Sequence, residues 1–271
     1  MEKVKPRTLS GFMELLPAPQ VQMERIMQVL RETYALYGFY PLDTPLIESS
    51  EVLLAKGGGE TEKQIYRFTK GDSDLSLRFD LTVPLAKYVA QHYGELTFPF
   101  RGVRAQRGRF GEFYQADIDV IGDGKLYIIN EAEVPSIIYK TFTSLGLERF
   151  KIRINNRKVL NGFFAILGLT EKAGDVMRTI DKLEKIGAEN VRAELAELQV
   201  SAEAADELLA LLGFKGSNEE ILEKLRAFAG RSEKLDLGVQ ELSEVVYYMG
   251  KFGVPETNYR IDLTIARGLD Y

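Results

Sequence analysis

The 271-residue sequence has no cysteine, no tryptophan and a single histidine, His92. Without cysteine there is no disulfide framework, no thiolate metal ligand and no cysteine nucleophile, which fits a reducing compartment. One histidine and no cysteine also exclude a zinc centre of the usual nitrogen and sulfur ligands, so no metal site is expected. His92 lies in the helix-like stretch Val83–Tyr93. It reads as a partly exposed surface histidine, because histidine catalysis needs neighbouring partners. No apolar run approaches the ~20 residues of a membrane helix. The charged start, Met1 to Pro6, lacks an apolar signal core. A soluble, cytoplasmic protein with no membrane partner is the expectation. Positive charge is not in excess either: 35 Lys and Arg against 40 Asp and Glu leave a net charge of −5. That argues against a general nucleic-acid coat and leaves room for a local basic patch. No glycine motif of the Walker or dinucleotide type stands between a strand and a helix, and Gly57-Gly-Gly-Glu is a weak substitute.

What is present is ordinary for a folded chain: 45% apolar and 28% charged residues. Val21, Ile26, Val29, Leu30, Tyr34 and Leu36 recur at helical spacing, and Gly38 is a fitting terminator. Phe39 to Ile47 carries prolines at 41 and 45 and reads as extended chain. Ile65–Phe68 and Leu75–Phe79 alternate like two strands around a polar turn. Phe98–Ala105 and Glu112–Ile121 predict two further strands, joined by a basic, glycine-punctuated loop. A helix is predicted over Asn130–Leu145 and a strand over Phe150–Ile154. From Thr170 to Gly250 the composition turns to Ala, Leu, Glu and Lys at helical spacing, with a capping-box pattern at Ser217 and Glu220. Strand alternation returns at Tyr259–Ile265. The pattern predicts an α+β fold, an antiparallel sheet flanked by helices with a helical insertion. The expected division is a core over 1–169, an insertion over 170–252 and a return to the core over 253–271.

Three groups of residues could carry chemistry. Arg101, Arg104, Arg107 and Arg109 crowd a strand end and its turn, and arginine forks suit carboxylate and phosphate oxygens. A solvated basic loop is the plainer alternative. Gln115, Asp117 and Asp119 share one face of the returning strand. Such a polar floor beside an arginine could hold a zwitterion, or it could be the wet side of a half-solvated sheet. Asp80 and Thr82 follow a strand and precede a proline-containing helix start, a position also suited to plain capping.

Taken in order, these residues resemble the class II aminoacyl-tRNA synthetases, and specifically the histidyl-tRNA synthetases. Pro45 is similar to the proline of motif 1 at that family's dimer interface, and Phe100–Gln115 resembles motif 2. Ile154-Asn-Asn-Arg-Lys-Val-Leu-Asn-Gly162 is similar to the segment following the motif 2 sheet. Ala266-Arg-Gly-Leu-Asp-Tyr271 resembles the start of the histidine-specific signature. The resemblance implies a ligase that activates L-histidine with ATP and Mg²⁺ and transfers it to tRNA(His), acting as a homodimer. It implies that Asp80-Leu81-Thr82 bind histidine, with Asp80 and Thr82 at its α-amino group. Gln115 would touch the amino acid, Asp119 its imidazole, and Tyr271 would wall the pocket. Arg101 and Arg267 would be catalytic and substrate-binding, clamping the reacting carboxylate and the α-phosphate. Arg101 and Arg109 would bind ATP. Gln106 and Arg107 would reach the tRNA acceptor end.

The sequence departs from the family pattern in places. Val103 stands where motif 2 usually has an acidic residue for the adenine end of ATP, and Gly11-Phe-Met-Glu replaces the usual Gly-x-Arg-Asp. Motif 3 and the anticodon-binding domain are not in the sequence, so the expectation is a chain truncated before motif 3, with its own activity impaired by the truncation. Two other readings stay open. One is the histidine-sensing regulatory subunit of ATP phosphoribosyltransferase; the other is a purely structural dimerisation module.

Overall fold

The computed structural model describes residues 4–55, 65–97, 99–106 and 113–265. The described chain divides into two compact units, one up to residue 126 and one from residue 127 on.

The first unit opens with helix α1, Pro17–Leu36, whose proline at the first turn is pre-set for helix. The helix gives way at Gly38, which takes a positive φ of 75° that a side chain would resist. Strands β1 (Tyr40–Pro41) and β2 (Ile47–Ser49) and the short helix α2 (Ser50–Leu53) follow. Strands β3 (Arg67–Lys70) and β4 (Ser73–Leu77) form the predicted hairpin, turning at Gly71 with φ 59°. Helix α3 runs Thr82–Gln91. Strands β5 (Phe100–Gln106) and β6 (Gln115–Ile121) complete the unit. The strands make two three-stranded sheets, ordered β1-β5-β6 and β2-β4-β3. All pairings there are antiparallel except β1 with β5.

Between Pro41 and Leu46 the chain has little regular structure and is tied down by a buried cation instead. Arg78, 7% exposed, donates from Nη1 to the Thr44 carbonyl and, at 2.6 Å, to its hydroxyl. Its Nη2 lies 3.2 Å from Asp43. The Arg78 amide donates to the Leu46 carbonyl at 3.0 Å, so backbone and side chain of one residue hold the same segment.

The second unit contains helix α4 (Ile129–Ser144), strand β7 (Ile152–Ile154) and helix α5 (Arg157–Ile166). Six helices then follow: α6 (Ala173–Ile180), α7 (Leu183–Ile186), α8 (Ala188–Glu197), α9 (Ala202–Leu212), α10 (Asn218–Arg226) and α11 (Glu233–Lys251). Strand β8, Tyr259–Ile261, pairs with β7 in parallel. The capping box is present: Glu220 donates its amide to the Ser217 hydroxyl and accepts from the Ser217 amide. One apolar cluster joins α5, through Val159, Leu160, Phe163 and Phe164, to residues of the following helices, with Leu183 and Ile186 of α7 packed against it half-buried, and to Ile261 and Leu263 beyond. The helical segment therefore shares a core with the strand that follows it.

Candidate functional site

The residues expected to bind an amino acid sit where β4 hands over to α3. Asp80 is 4% exposed and its Oδ1 accepts the Val83 amide at 2.7 Å. It thus caps the first turn of α3, where free amides and the helix dipole both favour a carboxylate. Leu81 is buried and its carbonyl accepts the Leu85 amide at 3.1 Å. Thr82 is half-buried at the first helical position. Capping uses part of the Asp80 carboxylate; two oxygens can accept several donors, so cap and ligand roles are compatible.

The β5–β6 ladder sets the second group. Its register pairs Arg101 with Val120, Gly102 with Asp119, Arg104 with Asp117 and Gln106 with Gln115. Directly opposed residues share a face and neighbours along a strand alternate. Gln115, Asp117 and Asp119 therefore lie on one face, as the sequence predicts, and all three are half-buried. Gln115 Nε2 is 3.5 Å from Asp117 Oδ1. Burial, and secondarily the Asp117 charge, push the Tyr34 hydroxyl pKa up.

Arg101 is one residue out of phase with that face. Its guanidinium donates to the Tyr37 carbonyl at 3.1 Å and lies 5.2 Å from the centre of the Phe39 ring. The register puts Gln115 and Asp119 on one face of β6 and Arg101 out of phase with that face. Arg107, Arg109, Arg267 and Tyr271 lie outside the described residues, as does the side chain of Gln106.

The His92 ring lies 4.7 Å from the Tyr88 ring centre, tilted by 41°, and its Nδ1 sits 3.5 Å from Glu95. Two other residues matter that the sequence reading did not single out. Arg78 shares the parity of Ser76 and Asp80, and that alternation beside a strand end was the signal for its burial. Asn155 stands beside the helix cap Asn156 without itself capping, and its amide reaches residues 263–265.

Among the described residues no helix is long and apolar enough to cross a membrane.

A histidine–tRNA ligase from Clostridium tetani (strain Massachusetts / E88) is 56% identical over 99% of this chain and 63% of its own length. The crystal structure of histidyl-tRNA synthetase from Nostoc sp. PCC 7120 superposes with a TM-score of 0.92 at 39% identity, covering 99% of this chain and 63% of that one. A structure described as an ATP phosphoribosyltransferase regulatory subunit/histidyl-tRNA synthetase, from Bacillus halodurans C, reaches a TM-score of 0.83 at 21% identity, over 97% of this chain and 69% of that one. At that identity the likeness is one of fold. The chain thus spans a little under two thirds of the length of the ligases it matches. The histidyl-tRNA synthetase family profile matches residues 11–271, which includes both segments around Asp80 and Gln115 as well as the Arg267 stretch, and the chain belongs to that family.

Proposed function

We propose that this chain carries the catalytic portion of a histidine–tRNA ligase: activation of L-histidine by ATP to histidyl-adenylate, then transfer to tRNA(His). The single observation that carries the reading is the family match over residues 11–271. In it, Asp80 and Thr82 take the α-amino group, Leu81 lines the pocket, and Gln115 and Asp119 take the remainder of the amino acid. A buried carboxylate at a helix start suits an ammonium, because the desolvated charge gains most from a close cation. Arg267 and Arg101 stabilise the charge that develops as the histidine carboxylate attacks the α-phosphorus, with Arg109 on the ATP phosphates. Guanidinium forks match phosphate oxygens in geometry and charge, so the donor set fits ATP. Mg²⁺, carried on ATP, supplies further charge neutralisation there. No protein nucleophile is required, since such transfers rest on positioning and charge stabilisation. For Arg101 to act, its guanidinium must leave the Tyr37 carbonyl and the Phe39 ring.

Gln106 and Arg107 are assigned to the tRNA acceptor end, where basic loops supply backbone contacts. Residues 170–252 are assigned as an insertion between the core segments 1–169 and 253–271, and the compartment as the cytoplasm. A homodimer is also part of the reading. Of the twenty residues of α1 only Thr33 and Tyr34 are buried, while Val21, Ile26 and Leu36 are exposed. Tyr40, Leu46 and Ile47, flanking Pro45, are exposed as well. Exposed apolar side chains of that kind suit a second copy. The regulatory-subunit alternative has the likeness of fold in its favour and no more.

Calorimetric titration with L-histidine, then with ATP and Mg²⁺, followed by histidine-dependent ATP–pyrophosphate exchange, tests the reading. Histidine binding and exchange are expected. Histidine binding with no exchange and no charging of tRNA would favour the sensing alternative.

A further inference from the structure

Strand β4 ends at Leu77 and helix α3 begins at Thr82, so Asp80 and Leu81 lie in a short turn between regular elements. The helix holds the far end of that turn: Asp80 Oδ1 accepts the Val83 amide at 2.7 Å, and the Leu81 carbonyl accepts the Leu85 amide at 3.1 Å. Arg78 holds the near end. Its amide donates to the Leu46 carbonyl at 3.0 Å. Its guanidinium donates to the Thr44 carbonyl and, at 2.6 Å, to the Thr44 hydroxyl, with Asp43 at 3.2 Å. Helix α3 is tied to the same stretch of chain once more, where Lys87 donates to Glu48. Ser76, Arg78 and Asp80 are all buried, so the polar face of β4 runs on into the turn. Among the described residues, Arg78 Nε finds no acceptor. A guanidinium buried with one donor unmet is a poor source of stability, because desolvation consumes most of the gain. What a rigid fork on two neighbouring residues does supply is a single geometry.

We propose that Arg78 is a positioning residue for Asp80 and Thr82, fixing where the chain leaves β4 and so where this pair meets the α-amino group of the amino acid. The inference rests on the histidine-binding role proposed above for Asp80 and Thr82. A carboxylate two residues from an anchored backbone position inherits that anchor. A charge-assisted hydrogen bond depends steeply on distance and angle, so a carboxylate displaced by about 1 Å loses much of its hold on an ammonium.

The test is calorimetric titration of L-histidine, and of imidazolepropionate, which lacks the α-amino group, into the wild-type chain and two variants, with Tm measured alongside. Arg78→Lys keeps a charge and replaces the fork by one ammonium. Thr44→Val is milder: it removes the hydroxyl acceptor and keeps the carbonyl and the shape. The expected result is a Kd for L-histidine raised about 5- to 30-fold in Arg78→Lys and about 3- to 10-fold in Thr44→Val, at unchanged stoichiometry. Affinity for imidazolepropionate should stay within about twofold of wild type in both. A purely structural role would lower Tm and the stoichiometry and leave the Kd of the remaining sites alone. That outcome, or an equal loss for the two ligands, or a histidine Kd within about twofold of wild type in Thr44→Val, overturns the inference while the proposed activity stands. If Arg78→Lys does not fold, Thr44→Val decides by itself. Absence of histidine binding by the wild type removes the histidine-binding role and this inference with it.

Discussion

Gly162 of α5 and Leu235 of α11 stand so close that a Cβ built on the glycine would lie 2.3 Å from the Leu235 backbone nitrogen. Gly238, one turn along α11, meets α5 in the same way, with a Cβ at 2.7 Å from the Val159 nitrogen. Two glycines, one on each helix, let the backbones touch. The first prediction concerns that crossing. Gly162→Ala must push two main chains apart inside a packed core, at a cost of about 1–3 kcal/mol or more. For a chain of this size that is roughly 2–4 °C of Tm per kcal/mol. Gly238→Ala should act in the same direction. Gly174, in α6 with nothing within 4 Å of its Cβ position, is the control. Alanine there should be neutral or raise stability by a few tenths to about 1 kcal/mol through helix propensity. Thermal melts of the three variants check the ordering; a Gly162→Ala melt matching wild type would mean the crossing can open without penalty.

The second prediction concerns Asn218, buried at 3% exposure, whose side chain closes the free edge of β8 by accepting the Ile261 amide. Asn218→Ala leaves that amide buried without an acceptor, a cost of roughly 1–3 kcal/mol. Asn218→Asp keeps an acceptor at the first turn of α10, where negative charge is favoured, and should retain most of the stability. Urea unfolding gives the stabilities, and amide exchange at Ile261 gives the local effect. Equal stability of the Ala and Asp variants would show that the bond contributes nothing net.

The fold was legible where local pattern and tertiary demand agree. Helix α1, the β3–β4 hairpin, the β5–β6 pair and the capping box at Ser217 all follow from spacing, turn residues and caps. What the sequence did not reveal depends on residues far apart meeting. The parallel pairings of β1 with β5 and β7 with β8 join segments about sixty and about one hundred residues apart, which no periodicity encodes. An arginine was read as lying beside the polar floor of Gln115, Asp117 and Asp119. The ladder register, a property of two strands together, puts Arg101 one residue out of phase. Asn155 was not singled out, because its acceptors lie more than a hundred residues on.

The third prediction is a pH dependence centred on Asp74. Hydrogen bonds from Arg67 and then Ser50 hold its carboxyl down from 3.8 to about 2. A pKa depressed in the folded state adds stability that is complete above the unfolded value of 3.8 and is lost as pH falls through about 2. Asp74→Asn should therefore flatten the acid limb of the stability curve in that window, and wild type and variant should converge below it. Both partners are substantially exposed, at 54% and 44% for the Arg67 and Asp74 side chains, so added salt should shrink the difference. Melts in low and high salt across the window measure both effects. A difference that persists unchanged below pH 2 would mean the variant acts through packing instead of charge.

The fourth prediction separates the two duties of Asp80. Its Oδ1 caps α3 through the Val83 amide, and the proposed function also gives the carboxylate the α-amino group of histidine. Asp80→Asn keeps an oxygen for the Val83 amide and removes the charge; Asp80→Ala removes both. If capping is the whole role, Asn should be near wild type in stability and in histidine affinity, with Ala lower in stability by about 1 kcal/mol. If the carboxylate also holds an ammonium, Asn should lose the charge-assisted part of that contact. At about 1.5–3 kcal/mol, that is roughly 10- to 150-fold in histidine affinity, with the melt little changed. Calorimetric titration of histidine into the two variants, alongside their melts, gives the answer. The informative case is the asparagine variant, because there the helix start is preserved and any affinity lost belongs to the charge.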